Sequence, residues 1–324
     1  MTRFPPGLVL SPGTTLWCLL LANGFLIALM LALSKTATAQ GMPPITYAFW
    51  QTLIAGLLLL GRSHSLRPMV HKPLVIYFLI SGLTGIALPN VIAFYLVNRL
   101  GTGFTGIMYA LPPIFTFVMS IAIGLEKNNW RRLTGLTIAV LACAWIIIQR
   151  HSGMSESPVY WYALGLLIPL ALSIGNVYRS VAWPAHTSPI TLAAGTLLTC
   201  AVILGVYAKS AQTPLLSAEF DRDLWKVVVL QGGVTALAYL CAFEIQKRAT
   251  PVFFSQLGSV AAIFGLIIGV VWFREDYAAT IWLGVLVVFA GLRLANKAPI
   301  RAEADTGSLS RPNPAEKGRQ SSHS

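Results

Sequence analysis

Ten apolar runs, each close to twenty residues long, are strung along this chain at about 14–34, 44–61, 73–97, 104–125, 132–149, 158–180, 189–208, 224–246, 252–273 and 279–296. A bilayer's hydrocarbon core takes about 20 helical residues to cross. Inside it every backbone N–H and C=O must find a partner, so only helices and closed barrels can span it. Barrel strands are about 10 residues long, so these runs predict helices. Charge agrees: 10% of the 324 residues are charged and 56% are hydrophobic, against about 25% charged in soluble domains. The length would suit about two soluble domains, but a soluble surface cannot be covered with so few charges. The expected class is an all-α integral membrane protein with ten transmembrane helices.

The formal net charge of +12 would suggest nucleic acid in a soluble chain. Here the basic residues sit in short segments between apolar runs, and no basic patch is interleaved with exposed aromatics, so nucleic-acid binding is not expected. If both termini are cytoplasmic, 16 of the 23 basic residues fall inside, Arg179 counted among them. The positive-inside rule then predicts a multi-pass protein of the cell (inner or plasma) membrane with both termini in the cytoplasm. The first run is too long for a signal-peptide core and no A-x-A cleavage site follows it, so it is expected to be retained. Residues 298–324 are polar, charged and rich in Ser and Pro, which predicts a disordered cytoplasmic tail. Cys18, Cys143, Cys200 and Cys241 lie in four different runs with no metal or disulfide spacing, and no cofactor or metal is expected.

The chain also repeats itself. At a shift of 149, Ala87 meets Ala236, Phe94 meets Phe243, Arg99 meets Arg248, Glu126 meets Glu275 and Gly135 meets Gly284. Pro44-Ile45-Thr46 resembles Pro189-Ile190-Thr191 at a shift of 145. Charges are rare here, so the Arg and Glu matches carry the most weight. Five helices per half is an odd number, so the halves must enter the membrane in opposite senses. The expected organisation is a short N-terminal segment (1–13), a first five-helix repeat (14–151), a second (157–297) and the tail (298–324), the repeats having inverted topology. Inverted repeats are a transporter architecture with a site near the bilayer midplane.

The fourth run of each half ends in an acid, "IAIGLE" at 121–126 and "GVVWFRE" at 269–275, and a fifth run with an internal glycine follows (Gly135, Gly284). Two such halves resemble the EamA-like family of the drug/metabolite transporter superfamily, across about residues 14–297. The resemblance implies ten helices, cytoplasmic termini and a central cavity lined mainly by helices 1, 3, 4, 6, 8 and 9. It also implies transport of small metabolites, with export of amino acids frequent. One departure is Gln51, beside Trp50, where family members often carry Arg. Without that buried cation an anionic substrate is less expected.

Candidate pathway residues follow from depth and spacing. Tyr109, Pro113, Thr116 and Ser120 fall on one face of a continuous helix. Their counterparts 149 residues on include Gly258 and Gly265. These small or polar positions leave room for a solute, or let helices pack closely. Pro112-Pro113 breaks backbone hydrogen bonding in mid-span and suits a hinge, or a static kink. Asn90 maps onto Tyr239, and Gln231, Thr235, Tyr239, Ala242 and Gln246 recur at about four-residue steps. Asn23, Gln51, Asn176 and Gln256 complete the mid-span polar set, each a candidate for the cavity or for a helix–helix hydrogen bond. Amides, hydroxyls and aromatics suit a zwitterionic or amphipathic small molecule better than a bare ion.

Glu244 is a candidate for proton coupling, since acids inside spans are functional by default. A local pair with Lys247 or Arg248 is the plainer explanation. Glu126 and Glu275 end helices, where the dipole disfavours an acid. They are read as structural anchors that close gates or fix the next helix, with Arg131 or Arg132 compensating the first. The histidines lie outside the runs, and no catalytic motif is present. The chain therefore reads as a secondary transporter of small organic metabolites, exporting by alternating access, and not as an enzyme. Its partners are a small-molecule substrate, the lipid bilayer and a candidate coupling proton, with the oligomeric state left open. A lipid or lipid-linked sugar flippase of the same superfamily is the alternative, and a membrane enzyme a weaker one.

Overall fold

The structure is a computed structural model that describes residues 12–63, 72–126, 129–151, 159–217, 220–276 and 279–295. The expected N-terminal segment (all but its last two residues) and the tail lie outside these. Among the described residues the secondary structure is helical, in thirteen α-helices: α1 (Pro12–Ala39), α2 (Pro44–Arg62), α3 (Lys72–Gly82), α4 (Leu88–Met108), α5 (Pro112–Ala122), α6 (Trp130–His151), α7 (Val159–Gly165), α8 (Leu167–Val181), α9 (Pro189–Ser210), α10 (Arg222–Arg248), α11 (Pro251–Ser255), α12 (Leu257–Phe273) and α13 (Ala279–Ala295). A π-turn, Leu83–Ala87, joins α3 to α4. Among the described residues seven helical stretches are long and apolar enough to cross a membrane: Gly13–Ala39, Pro44–Arg62, Lys72–Thr102, Tyr160–Val181, Pro189–Ser210, Arg222–Arg248 and Pro251–Phe273. Two shorter apolar helices, Pro112–Ala122 and Trp282–Ala295, add to them.

Local chemistry sets the ends. Pro44, Pro112, Pro189 and Pro251 each stand at the first or second helical position, where a missing N–H costs nothing. Ser188, Asp221 and Thr250 cap α9, α10 and α11 by accepting from Thr191 N, Leu224 N and Phe253 N. Gly101 breaks the line of α4 at φ 80, ψ 167, a conformation open to a residue without Cβ. Residues 102–108 therefore lead into the next span, and the chain breaks again at 109–111 before α5. The expected mid-helix kink at Pro112-Pro113 is instead a fresh helix start. Two carbonyls around this start accept from other helices: Ser259 Oγ donates to Ala110 O at 3.3 Å and Ser173 Oγ to Pro112 O at 3.1 Å.

The helix pairing repeats itself. α1 packs on α12 and α10, and α8 packs on α5 and on the α3–α4 segment. α2 packs on α10, and α9 on α3. α2 crosses α9, α6 crosses α13, and the α4–α5 region crosses α12. In that last crossing Thr102 O faces Gly265, Gly106 faces Ala262, and Tyr109 O faces Gly258, so the two elements run antiparallel. Positions 109 and 258 are themselves separated by the shift of 149 seen in the sequence.

The surface is inside out relative to a soluble protein. Leu141, Val202, Val206 and Val271 are between 63% and 77% exposed, whereas Asn23, Gln51, Asn176, Gln231, Gln246 and Gln256 are buried. An apolar exterior of this extent needs lipid against it.

Candidate functional site

Where α1, α4, α8, α10 and α12 converge on the π-turn, they enclose a cavity. It gives about 80 Å³ to the centres of water-sized molecules, room for roughly half a dozen waters or one small organic group. Ile27, Met30, Leu31, Phe94, Leu172, Phe243 and Phe254 make most of the wall apolar. Six sequence candidates share the lining: Asn23, Asn90, Tyr109, Asn176, Tyr239 and Gly258. Tyr109 Oη donates to Asn90 Oδ1 at 3.2 Å. The Tyr239 hydroxyl also lies within reach of Asn90. Asn23 is fully buried, and among the described residues neither its Oδ1 nor its Nδ2 has a hydrogen-bond partner.

The side chain that dominates this cavity is Arg179, counted above as an inner-side loop charge. It is 4% exposed, inside α8, and faces the cavity. Its Nε donates to Gln246 Oε1 at 2.8 Å and its Nη2 to Asn176 Oδ1 at 2.8 Å. Gln246 Nε2 in turn donates to Asn176 O at 3.1 Å. The guanidinium lies 6.0 Å from the Phe243 ring centre and 5.8 Å from that of Phe254. Nη1 occupies the space where a Cβ on Gly85 would stand, so the glycine of the π-turn makes room for the guanidinium. The signal was present in the sequence: Arg179 falls inside the apolar run 158–180, three residues after Asn176, on one helix face. The buried cation expected to be missing at Gln51 is supplied from α8.

The other candidates lie elsewhere. Gln51 accepts from Gln231 Nε2 at 2.6 Å and from Thr235 Oγ1 at 3.4 Å, a buried bridge between α2 and α10. The polar steps of α10 therefore serve two ends, Gln231 and Thr235 at this bridge, Tyr239 and Gln246 at the cavity. Pro113 and Thr116 are buried in α5 outside the cavity lining, because the break at 109–111 cancels the helical phase that linked them to Tyr109. Gly265 lies against Thr102 O, 3.5 Å from where its Cβ would be, and Gln256 is buried at the α11–α12 joint. Glu244 pairs with Arg248 at 2.8 Å, one turn away on the exposed side of α10.

The two terminal acids have matched surroundings. Glu126 is paired with Arg132, faces the hydroxyl of Thr250, and closes a turn through Glu126 N to Ser120 O at 3.3 Å. Glu275 bonds Lys35 Nζ at 2.5 Å and Thr102 Oγ1 at 3.2 Å, and its N donates to Gly269 O at 2.9 Å. Ser120 and Gly269 are equivalent at the shift of 149. Each acid thus follows one helix, α5 or α12, and touches a threonine at the start of the helical segment that leads into the other, Thr250 or Thr102. Because those helices are antiparallel, the two acids lie at opposite ends of the bundle. Burial raises the Glu126 carboxyl above the ordinary range, opposed by Arg132.

The sequence profile of the EamA-like transporter family matches residues 15–148 and 159–297. The chain belongs to this family, within the drug/metabolite transporter superfamily. EamA relatives among known proteins include Protein PagO of Salmonella typhimurium, 25% identical over 181 residues, 56% of this chain and 58% of PagO. The match therefore spans little more than half of PagO. A WAT1-related protein of Arabidopsis thaliana is 21% identical over 297 residues, 80% of this chain and 79% of that one. A crystal structure superposes with a TM-score of 0.68 at 17% identity, covering 87% of this chain and 97% of the other, which shows a shared fold. This EamA chain is thus a multi-pass membrane protein of a transporter family.

Proposed function

We propose that this protein is a secondary transporter that exports small organic metabolites by alternating access. Ten spans, two inverted five-helix halves and cytoplasmic termini in the cell membrane complete the reading. The observation that carries it is the cavity with a polar cluster at the crossing of the two halves, in a chain of the EamA-like transporter family. Residues 102–108 and α5, taken together across their break, make a fourth span from segments that are each too short alone. The reciprocal helix pairing and the antiparallel crossing support inversion. The pathway runs past Asn23, Asn90, Tyr109, Asn176, Tyr239 and Gly258. Glu126 and Glu275 act as latches, each tying the end of one half to the start of the other half's fourth span. In the cycle one latch opens while its counterpart holds, which exposes the cavity to one side at a time. Glu244, already paired with Arg248 on an exposed face, is the weaker candidate for coupling, and the half-buried Glu126 is the better placed acid.

Proteoliposomes loaded with a broad mixture of small metabolites test this directly. Protein-dependent release of some compounds and retention of others is expected. Absence of flux in either direction, with the protein inserted and monodisperse, overturns the reading. Comparing metabolites in the medium of cells with and without the gene identifies the compounds exported.

A further inference from the structure

The cavity holds a full positive charge and no negative one. Among its lining residues Arg179 is the sole ionisable group of either sign apart from the two tyrosines, and no Asp or Glu contributes. No acid pairs with Arg179 among the described residues, where its Nε and Nη2 are met by neutral amide oxygens. Its Nη1 has no acceptor there. Isolated charges are costly at low dielectric, and buried arginines are normally matched by an acid. An unpaired, immobilised guanidinium at the wall of a solute cavity is a site awaiting an anion.

We propose that the transported molecule carries a carboxylate that docks on Arg179, and that its remainder is apolar or neutral. This deepens the transporter reading and rests on it. Three observations select the class. The planar guanidinium suits a carboxylate. A single fixed cation balances one charge, which favours a carboxylate over a phosphate bearing about 1.5 to 2 at neutral pH. The lining offers no carboxylate for an ammonium group, so a monoanion fits better than the zwitterion suggested by composition. The rings of Phe243 and Phe254 beside the guanidinium receive the apolar part, and the unbonded amide of Asn23 receives a neutral polar group where one exists.

Four probes that share one phenyl ring separate the possibilities: phenylacetate, phenylacetamide, phenethylamine and phenyl phosphate. Binding to purified full-length protein is read by thermal shift, and flux by liposome exchange. Phenylacetate is expected to bind most tightly. Arg179→Gln is expected to weaken phenylacetate on the order of tenfold to a hundredfold while leaving phenylacetamide unchanged. Gly85→Ala keeps the cation but displaces Nη1, so it should also weaken phenylacetate selectively. It keeps the test open if Arg179→Gln does not fold. The lipid-facing Leu141→Ala should bind like the parent. Phenylacetate binding no tighter than the amide or amine, or insensitive to both variants, overturns the proposal, and a preference for phenyl phosphate overturns the carboxylate. If liposomes exchange phenethylamine but not phenylacetate, transport stands and the anion site falls. If nothing is exchanged yet phenylacetate binds through Arg179, the site stands and transport falls.

Discussion

At the scale of single residues, two glycines of α12 that look alike in sequence differ sharply in surroundings. A Cβ on Gly258 would fall on the backbone carbonyl of Tyr109, which cannot step aside as a side chain could. At Gly265 the nearest atom is an ordinary 3.5 Å away. Gly258→Ala should therefore cost about 1–3 kcal/mol or more of stability, and Gly265→Ala little, as thermal unfolding in detergent will show. The bridge from Gln51 to Gln231 gives a milder case. Gln51→Leu should lose about 0.6–2 kcal/mol without altering which probe binds, because this bridge is not part of the cavity lining. These contrasts also mark the limit of sequence reading. Asn90, Tyr109 and Tyr239 could be placed by depth and by the repeat. Whether an amide faces solute or a neighbouring amide depends on the rotation of a helix within the bundle, and an apolar run carries little of that information.

Among elements, the broken fourth spans matter most. Their starts at Thr102 and Thr250 are each held by an acid from the other half, so each latch should guard one entrance. Glu275→Gln should increase labelling of a cysteine introduced in the cavity wall, such as Leu172→Cys, from the side bearing Lys35, and Glu126→Gln from the opposite side. Equal effects from both sides would contradict the assignment. The Glu126 latch should also respond to pH. Its carboxyl binds a proton more readily in the folded protein than in the unfolded chain, so between the ordinary glutamate value and the raised one the folded state holds more protons. Stability should then fall as pH rises through that window, and Glu126→Gln should flatten the slope. The run 104–125 announced a span, and its terminal acid was visible. The break at 109–111 was not, since two prolines in an apolar run read equally as a kink or as a new start. The true signal was positional: Pro112 and Pro113 stand where a helix can begin.

For the whole molecule, inversion makes a statement about sides. In a background without native cysteines, Asn129→Cys and Asp276→Cys should be labelled by impermeant reagents from opposite faces of the membrane. Labelling from one shared face would remove the inverted arrangement and the transport cycle built on it. The expected duplication rests on rare charges that recur at one offset. The cavity's cation was passed over although its signal, a place inside an apolar run three residues after Asn176, was there, because an arginine near the end of such a run looks like any residue that orients a helix. Loop charges and cavity charges share one alphabet, and packing alone separates them.

The meeting of Tyr109 with Gly258 also bears on ancestry. An antiparallel two-fold pair made from two copies of the first half would bring tyrosine against tyrosine there, driving a Cβ into a peptide oxygen on both helices. At this contact the first half can therefore no longer pair with itself, whereas two copies of the second would meet glycine to glycine without that clash.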